Sequence, residues 1–366
     1  MRWQFTVNDI ISKHWHTIKQ MDLNTYQLYQ LNNLRKCGTE ELGGHILSCK
    51  VCNHLQYIYH SCRNRHCPSC QGKQREQWIA KQQQYLLDVP YFHVVFTIPH
   101  ELNPLCMAHP RLIYNLLFSA SWQTIKTLSQ DSTFLGANPG MTAVLHTWSQ
   151  NLGLHPHLHC IIPAGGVDKN RQWKHTRSKG KYLFPGKIMA SIFKGIFMKE
   201  LKQMSKHDLI ILDAELKEKL YHKNWVVYAK KPFLNPAFVI EYLGRYSHKI
   251  AISNYRLIHA DQHKITFSWK NYRLAGQSKP MELPIGEFIR RFALHILPKR
   301  FVRIRHFGIL SFHGRKNTIP IIQKQQGFDP IISNPDDENI IDVPRCIKCN
   351  SKKIIHTILP RKTRAP

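Results

Sequence analysis

Hydrophobic residues recur with two different periods along the middle of the chain. β-Branched and aromatic residues dominate four stretches, a pattern that predicts strands. In three other stretches the apolar residues are spaced three and four apart, which predicts amphipathic helices. The predicted elements, in chain order, are a strand at 91–100, a helix at 109–130, a strand at 141–149, a strand within LGLHPHLHCIIPAGG at 152–166, a helix at 185–204, a strand at 224–232 and a helix at 235–250.

The order of these elements is β-α-β-β-α-β, followed by a helix. This order predicts a four-stranded antiparallel sheet with helices on one face, the ferredoxin-like or RRM-like arrangement. Further along, 263–271 predicts another strand, and 284–310 predicts a basic helix followed by a strand. From about residue 334 the chain is polar and contains prolines, which predicts a flexible end. We therefore expect an α+β fold.

The charge of the chain is strongly unbalanced. Its 366 residues include 52 Lys and Arg but only 23 Asp and Glu, a formal net charge of +29. Because basic residues bind phosphate backbones by releasing counterions, we expect a polyanionic partner. A generally basic protein and a membrane-surface binder are the alternatives. No long apolar stretch and no signal-peptide pattern is present, which predicts a cytoplasmic protein that does not span a membrane.

Six of the ten cysteines lie within 37–70. Since disulfides are rare in the cytoplasm, we favour metal binding over redox chemistry or free thiols. The Cys-x-x-Cys pairs Cys49/Cys52 and Cys67/Cys70 are spaced like the two turns of a zinc ribbon, in which four thiolates hold one Zn²⁺. The other two cysteines of this segment, Cys37 and Cys62, either form a second site or substitute into the first.

The basic residues around these cysteines, such as Arg63 and Arg65, favour contact with DNA, although a solvated basic face has the same pattern. A third pair, Cys346 and Cys349, lies near the C-terminus. It either binds a metal with a partner, packs as half of a zinc-binding turn or is incidental.

Three histidines stand at alternate positions of the third predicted strand: His155, His157 and His159. Residues two apart on a strand point to the same face, so His157 and His159 could bind a divalent metal together. His155 is the weakest member because a proline follows it. We expect the third ligand on the preceding strand, with His146 ranked ahead of Gln150. Packed histidines without a metal are the alternative.

Two tyrosines, Tyr242 and Tyr246, lie four residues apart on one face of the predicted helix at 235–250. A tyrosine hydroxyl can attack a phosphodiester and form a covalent phosphotyrosine. Its ordinary pKa near 10 makes it a weak nucleophile, which a metal on the phosphate would offset. Arg245 and Lys249 either contact phosphate or form a solvated basic face. The sequence has no phosphate-binding G-x-x-x-x-G-K-[ST] motif, and its scarce acidic residues form no cluster of the kind that a two-metal transposase needs.

Five segments of the chain together resemble the rolling-circle transposases of the insertion sequence 91 family, within the HUH (His-hydrophobic-His) endonucleases. The matching segments are CRNRHCPSCQ, FHVVFTIP, LHTWSQNLGLHPHLHCIIPAGG, EYLGRYSHKIAISNYRL and FIRRFALHILPKRFVRIRHFGIL, which span roughly residues 30 to 320.

The resemblance implies a metal-dependent enzyme that nicks and rejoins single-stranded DNA at the ends of its element. His157 and His159 match the metal-binding pair of the family, and Tyr242 and Tyr246 match its nucleophiles. Some relatives use one tyrosine, in which case we favour Tyr246. The expected ions are Mg²⁺ or Mn²⁺ at the histidines, where Zn²⁺ is also chemically compatible, and structural Zn²⁺ at the cysteines. The implied setting is the prokaryotic nucleoid, with host replication machinery as a possible partner.

Two other functions fit the same residues. A plasmid replication initiator or relaxase would use the same chemistry on another DNA, and a zinc-ribbon protein would bind DNA without chemistry. The predicted domains are an N-terminal zinc- and DNA-binding domain at 1–88, a catalytic domain at 89–275, its basic C-terminal part at 276–333 and a flexible tail at 334–366.

Overall fold

The computed structural model describes residues 5–230, 232–233, 238–239, 242, 244, 249–271, 276–329 and 344–361. The helices are α1 (Val7–Lys13), α2 (Trp15–Ile18), α3 (Thr25–Arg35), α4 (Gln71–Gln83), α5 (Asn103–Ala108), α6 (Pro110–Gln130), α7 (Arg177–Gly180), α8 (Gly186–Lys206), α9 (Ala214–His222), α10 (Ile285–Ala293), α11 (Phe312–Asn317) and α12 (Ile319–Gln326). The strands are β1 (Gly44–Cys49), β2 (Leu55–Tyr59), β3 (Tyr91–Thr97), β4 (Asn138–Trp148), β5 (Leu154–Pro163), β6 (Gly165–Val167), β7 (Trp173–His175), β8 (Val226–Ala229), β9 (Leu257–Ala260), β10 (Lys264–Asn271), β11 (Gln277–Pro284), β12 (Ile304–Gly308) and β13 (Ile354–Leu359).

The chain is α+β, as expected, with antiparallel sheets. The largest sheet has the order β7-β6-β4-β5-β3-β8, and β12 also pairs with β4. Val144 in β4 faces His159 of β5 on one side and Ile304 of β12 on the other, so β12 lies at the opposite edge of β4 from β5. Among the described helices, none combines the length and the apolar surface needed to cross a bilayer.

The helices α6 and α8 cover one face of this sheet. They pack on alternate residues of the strands, including Phe96 of β3 and Leu158 of β5, in one apolar core. The rings of Phe96 and Phe193 of α8 lie 5.1 Å apart, and both side chains are fully buried. Because successive strand residues alternate between faces, the residues between these apolar positions, His157 and His159 among them, point to the other face.

A second core joins the N-terminal helices to β10 and α10. Apolar residues of α1 and α3, such as Ile11 and Leu31, are buried with Phe267 of β10 and Phe288 of α10. In addition, Gln27 Nε2 of α3 donates a hydrogen bond to the carbonyl oxygen of Ala293, 3.0 Å away. The N-terminal helices therefore pack on residues that follow β8 by more than thirty positions along the chain.

The segment from residue 334 does not follow the expectation of a flexible end throughout. Residues 330–343 lie outside the described part, but β13 pairs antiparallel with β1 over Gly44–Cys49, and β2 pairs with the other side of β1. The three strands form a separate sheet of order β13-β1-β2. Backbone hydrogen bonds to β1 hold the C-terminal strand in place, a long-range pairing that composition does not reveal.

Candidate functional site

Three histidines lie together on the face of the large sheet away from α6 and α8. In the β4–β5 ladder His146 stands opposite His157, and Val144 stands opposite His159. The ring centroid of His146 is 4.5 Å from that of His159 and 5.5 Å from that of His157. The structure thus brings the predicted pair and the predicted third residue into one cluster. It leaves the side chain of His155 outside this cluster.

The ring nitrogens of the three histidines converge. The Nε2 atoms of His157 and His159 are 3.2 Å apart. His157 Nδ1 lies 2.7 Å from the carbonyl oxygen of His155, which can only accept, so Nδ1 carries the proton and Nε2 the lone pair. One nitrogen of each of the three histidines lies within 4.8 Å of the others. This donor set, three imidazole nitrogens aimed at one point, fits a divalent metal.

The environment keeps the imidazoles of His157 and His159 neutral. Burial lowers the pKa of His157 to about 4. Burial, followed by the nearby imidazole of His146, holds the pKa of His159 well below its ordinary value. A neutral imidazole is the form that binds a metal.

His93 of β3 is a member of the site that the sequence did not predict. Its Nε2 lies 2.9 Å from His159 Nδ1, and the two rings are stacked with centroids 5.1 Å apart. The side chain is buried, and its pKa is lowered to about 3, first by that burial and then by the charge of Lys230. A single histidine in the apolar strand YFHVVFT carries little signal until the pairing of β3 with β5 is known.

Tyr242 meets the histidines through His93. Its hydroxyl oxygen is 2.8 Å from His93 Nδ1, and the two ring centroids are 4.8 Å apart. The backbone is helical at Tyr242, and its ring also packs on Phe233. The other predicted nucleophile, Tyr246, and the predicted phosphate contact Arg245 lie outside the described residues.

The histidine cluster opens into a cleft of about 720 Å³. Its walls include Trp148 and Trp269, the predicted residues Gln150 and Lys249, and Lys270. A second cleft of about 620 Å³ shares Trp148, Gln150, Lys249 and Lys270 with the first. The two clefts therefore form one groove, lined by lysines and indole rings and leading away from the histidines. The second cleft adds the basic residues Arg75 and Arg256.

One group of four cysteines lies against the N-terminal helices. Cys37 Sγ is 3.4 Å from Cys70 Sγ and 3.6 Å from Cys67 Sγ, and Cys62 Sγ is 3.7 Å from Cys70 Sγ. With Zn–S bonds of about 2.3 Å, a tetrahedral site separates its sulfurs by about 3.8 Å. Asn8 Nδ2 donates to Cys67 Sγ at 3.4 Å, a contact that stabilises a thiolate. The geometry fits a closed structural zinc site.

The predicted pairing of Cys49/Cys52 with Cys67/Cys70 is wrong. Cys67 and Cys70 lie with Cys37 and Cys62 instead, and Cys49 and Cys52 lie with Cys346 and Cys349. The prediction combined Cys49/Cys52 with Cys67/Cys70 because these two Cys-x-x-Cys pairs lie close together in the sequence. In the structure the strand β13 carries the C-terminal pair to Cys49 and Cys52.

Arg63 and Arg65 have different environments. The guanidinium of Arg65 donates to the carbonyl oxygens of Phe301 and, at 3.0 Å, Pro298, and burial lowers its pKa. Arg65 therefore joins the cysteine module to the segment after α10, and we do not count it among the candidate DNA contacts. Arg63 is exposed and has a left-handed backbone, with φ of 51°.

Comparisons with known proteins give one consistent result. A family model described as "Putative transposase" matches residues 140–318, and another described as "Transposase zinc-binding domain" matches residues 10–98. "Putative transposase y4qJ" of Sinorhizobium fredii (strain NBRC 101917 / NGR234) is 38% identical over 310 residues, which cover 81% of this chain and 77% of that protein. "Transposase for insertion sequence element IS801" of Pseudomonas savastanoi pv. phaseolicola is 28% identical over 305 residues, which cover 81% and 73%. No solved structure matches the chain.

The zinc-binding match contains the group formed by Cys37, Cys62, Cys67 and Cys70, and the transposase match contains the three clustered histidines. Transposases bind DNA, in agreement with the net charge of +29. The chain therefore belongs to the insertion sequence 91 family of transposases, and its residues 10–98 match the zinc-binding domain of that family.

Proposed function

We propose that this transposase drives rolling-circle transposition by nicking and rejoining single-stranded DNA at the ends of its element. In this proposal His146, His157 and His159 hold a divalent cation, Mg²⁺ or Mn²⁺. Tyr242, Tyr246 or both attack the phosphodiester and form a 5′-phosphotyrosine. The observation that carries the proposal is the convergence of the histidine nitrogens and the Tyr242 hydroxyl on one face of one sheet.

The topology supports an HUH-type, ferredoxin-like core. In the sheet, the strands β3, β4, β5 and β8 lie in the order β4-β5-β3-β8. Along the chain, α6 lies between β3 and β4, and α8 lies between β5 and β8. A β-α-β-β-α-β unit with its first and third strands at the centre is the ferredoxin-like arrangement. The histidines then belong to a central strand and its hairpin partner.

The hydrogen bonds suggest how the chain prepares the nucleophile. If His159 presents Nε2 to the cation, its Nδ1–H donates to His93 Nε2. A neutral His93 then carries its single N–H on Nδ1, which lies 2.8 Å from the phenol oxygen of Tyr242. A donor on that oxygen stabilises the phenolate form. The bound cation would polarise the scissile phosphate and neutralise charge on it.

In the forward step the phenol of the tyrosine gives up its proton to solvent, its oxygen bonds to phosphorus, and the bond from phosphorus to the 3′-oxygen breaks. The leaving 3′-oxygen takes up a proton from solvent and is released as a 3′-hydroxyl. In the rejoining step a 3′-hydroxyl attacks the phosphotyrosine and the tyrosine oxygen leaves. The Nδ1–H of His93 stabilises the departing phenolate in the same position. Since the bond energy is kept in the phosphotyrosine, the reaction needs no nucleotide hydrolysis.

Two further observations favour this chemistry. Among the described residues, the groups of metal-binding type contain histidine or cysteine and no carboxylate, unlike a site for two metals held by acidic residues. Membership of a transposase family favours an element end over a plasmid origin as the substrate.

The test is a cleavage assay on single-stranded oligonucleotides carrying an element end, with Mg²⁺ or Mn²⁺. The wild-type chain is expected to form a covalent protein–DNA adduct, and Tyr242→Phe combined with Tyr246→Phe is expected to abolish it. Tyr228→Phe is the matched control, since this exposed tyrosine of β8 lies outside the cluster. His157→Ala should lose cleavage and retain DNA binding, whereas His155→Ala should retain both. DNA binding without any adduct in the wild-type chain would favour a non-catalytic DNA-binding protein.

A further inference from the structure

Two turns at opposite ends of the chain have the same sequence pattern and the same backbone. They are Cys49-Lys-Val-Cys52-Asn53 and Cys346-Ile-Lys-Cys349-Asn350. Both asparagines are left-handed, with φ of 54° and 57°. The N–H of each donates to the carbonyl oxygen of the first cysteine of its turn, at 3.0 Å and 2.8 Å. Two Cys-x-x-Cys turns of one geometry are what the two halves of a zinc ribbon require.

The four sulfurs form one compact group. Cys49 Sγ is 3.5 Å from Cys349 Sγ, Cys52 Sγ is 3.5 Å from Cys346 Sγ, and all four lie within 4.8 Å of one another. A disulfide would need about 2.05 Å. A tetrahedral Zn²⁺ with bonds of about 2.3 Å separates its sulfurs by about 3.8 Å, close to what is found here.

The pairing of β1 with β13 fixes how the two turns face each other. Each turn adjoins one of these strands, and the ladder ends where Cys49 stands opposite Ile354. Lys50 N–H continues it with a hydrogen bond to the carbonyl oxygen of Lys353 at 3.0 Å. Cys49 and Cys346 are buried, with 1% and 5% of their surface exposed, whereas Cys52 is half-buried and Cys349 is exposed. The first cysteine of each turn is therefore held inside the fold.

We propose that Cys49, Cys52, Cys346 and Cys349 bind a second structural zinc ion, which joins the N-terminal domain to the C-terminal segment. Four thiolates complete a tetrahedral shell and leave no position for substrate, so the ion is structural. The C-terminal pair lies outside the residues matched by the zinc-binding domain, 10–98. The proposal does not depend on the cleavage chemistry proposed above.

The test counts thiolate sites on the full-length chain loaded with Co²⁺, because thiolate-to-cobalt absorption in the near ultraviolet does not count an ion held by histidines. The wild-type chain is expected to show the absorption of two tetrathiolate sites. Cys346→Ser combined with Cys349→Ser should halve it, while the group around Cys37 stays loaded. Ile347→Ser is the matched control, because it changes an exposed residue of the same turn and no sulfur.

Full absorption in the double variant, or the absorption of one site in the wild-type chain, would overturn the proposal. If the double variant does not fold, ¹¹³Cd NMR of the wild-type chain decides. Two resonances in the tetrathiolate range support the second site, and a single resonance contradicts it.

Discussion

His93 connects the two parts of the candidate site through its two ring nitrogens. One nitrogen lies 2.9 Å from His159 Nδ1 and the other 2.8 Å from the Tyr242 hydroxyl. A partner on the far nitrogen of a metal-binding histidine fixes the orientation and tautomer of that ring. His93 is thus a positioning residue for both the metal site and the nucleophile.

We expect His93→Gln to weaken Mn²⁺ binding. The Mn²⁺ concentration needed for half-maximal adduct formation should rise by roughly 10- to 100-fold. High Mn²⁺ should restore part of the adduct yield, which a general loss of folding would not allow, while the loss of the donor to Tyr242 remains. The measurement is adduct formation over a Mn²⁺ titration, with His155→Gln as the control. An unchanged midpoint would show that His93 does not support the metal site.

The sequence located some of these residues and missed others for physical reasons. His146, His157 and His159 could be predicted, because alternation along a strand and pairing in a hairpin are local properties. His93 could not, since its role depends on β3 pairing with β5 more than sixty residues later. The cysteine pairing failed for the same reason, because the partners of Cys49 and Cys52 lie almost 300 residues along the chain.

At the scale of elements, the bounds of helices and strands were predicted most closely where the hydrophobic periodicity is strong. The expected helices 109–130 and 185–204 are found at Pro110–Gln130 and Gly186–Lys206, and the expected strand 91–100 at Tyr91–Thr97. In contrast, β11 was not predicted. Its sequence QSKPMELP contains two prolines and is mostly exposed, as suits an edge strand that buries only Leu283.

The β4–β5 hairpin, which carries His146 and His157, is attached to the end of α10 by His295. The ring of this buried residue bonds Thr147 Oγ1 at 3.1 Å and the carbonyl oxygen of Leu152 at 3.0 Å. Leu152 has a left-handed backbone, with φ of 62°, which costs energy for a leucine. Burial lowers the pKa of His295 to about 4.

This environment predicts a pH dependence of stability. Below pH 6.5 the unfolded chain protonates His295 while the folded chain does not, so the free energy of unfolding falls as the pH drops from 6.5 toward 4. His295→Gln should remove this contribution, about 1.4 kcal/mol per pH unit within that window. Urea unfolding at pH 7.5 and pH 5.5 measures it, with exposed His207→Gln as the control. An equal loss of stability on acidification in the wild-type chain and His295→Gln would contradict the assignment.

At the scale of the whole molecule, the structure shows where some of the excess positive charge lies. The groove that leads from the histidines carries Lys249 and Lys270 beside Trp148 and Trp269. Indole rings can stack on unpaired bases, and lysines can neutralise phosphates, a combination typical of single-strand binding. Composition predicted a polyanionic partner, but only the fold shows which basic residues share a surface.

We expect Lys249→Gln combined with Lys270→Gln to weaken binding of single-stranded DNA and to reduce its salt dependence. Each lost phosphate contact should lower the slope of log K against log salt by roughly 0.7. Fluorescence anisotropy with a labelled oligonucleotide at several salt concentrations measures both effects. Lys324→Gln on α12 is the control, because Lys324 lines neither cleft. The same slope in the double variant and the wild-type chain would exclude the groove as the path of DNA.

The pairing of β1 with β13 has a consequence for how the protein is made. The ribosome synthesises Gly44–Cys49 early and Ile354–Leu359 near the end of the chain. At about 5–20 residues per second, roughly 15 to 60 s separate the two strands. During this time one edge of β1 has no native partner, and an open strand edge is a template for pairing with other chains. The N-terminal sheet can therefore be completed only after Ile354–Leu359 have been synthesised, and a polypeptide that stops before residue 354 cannot complete it.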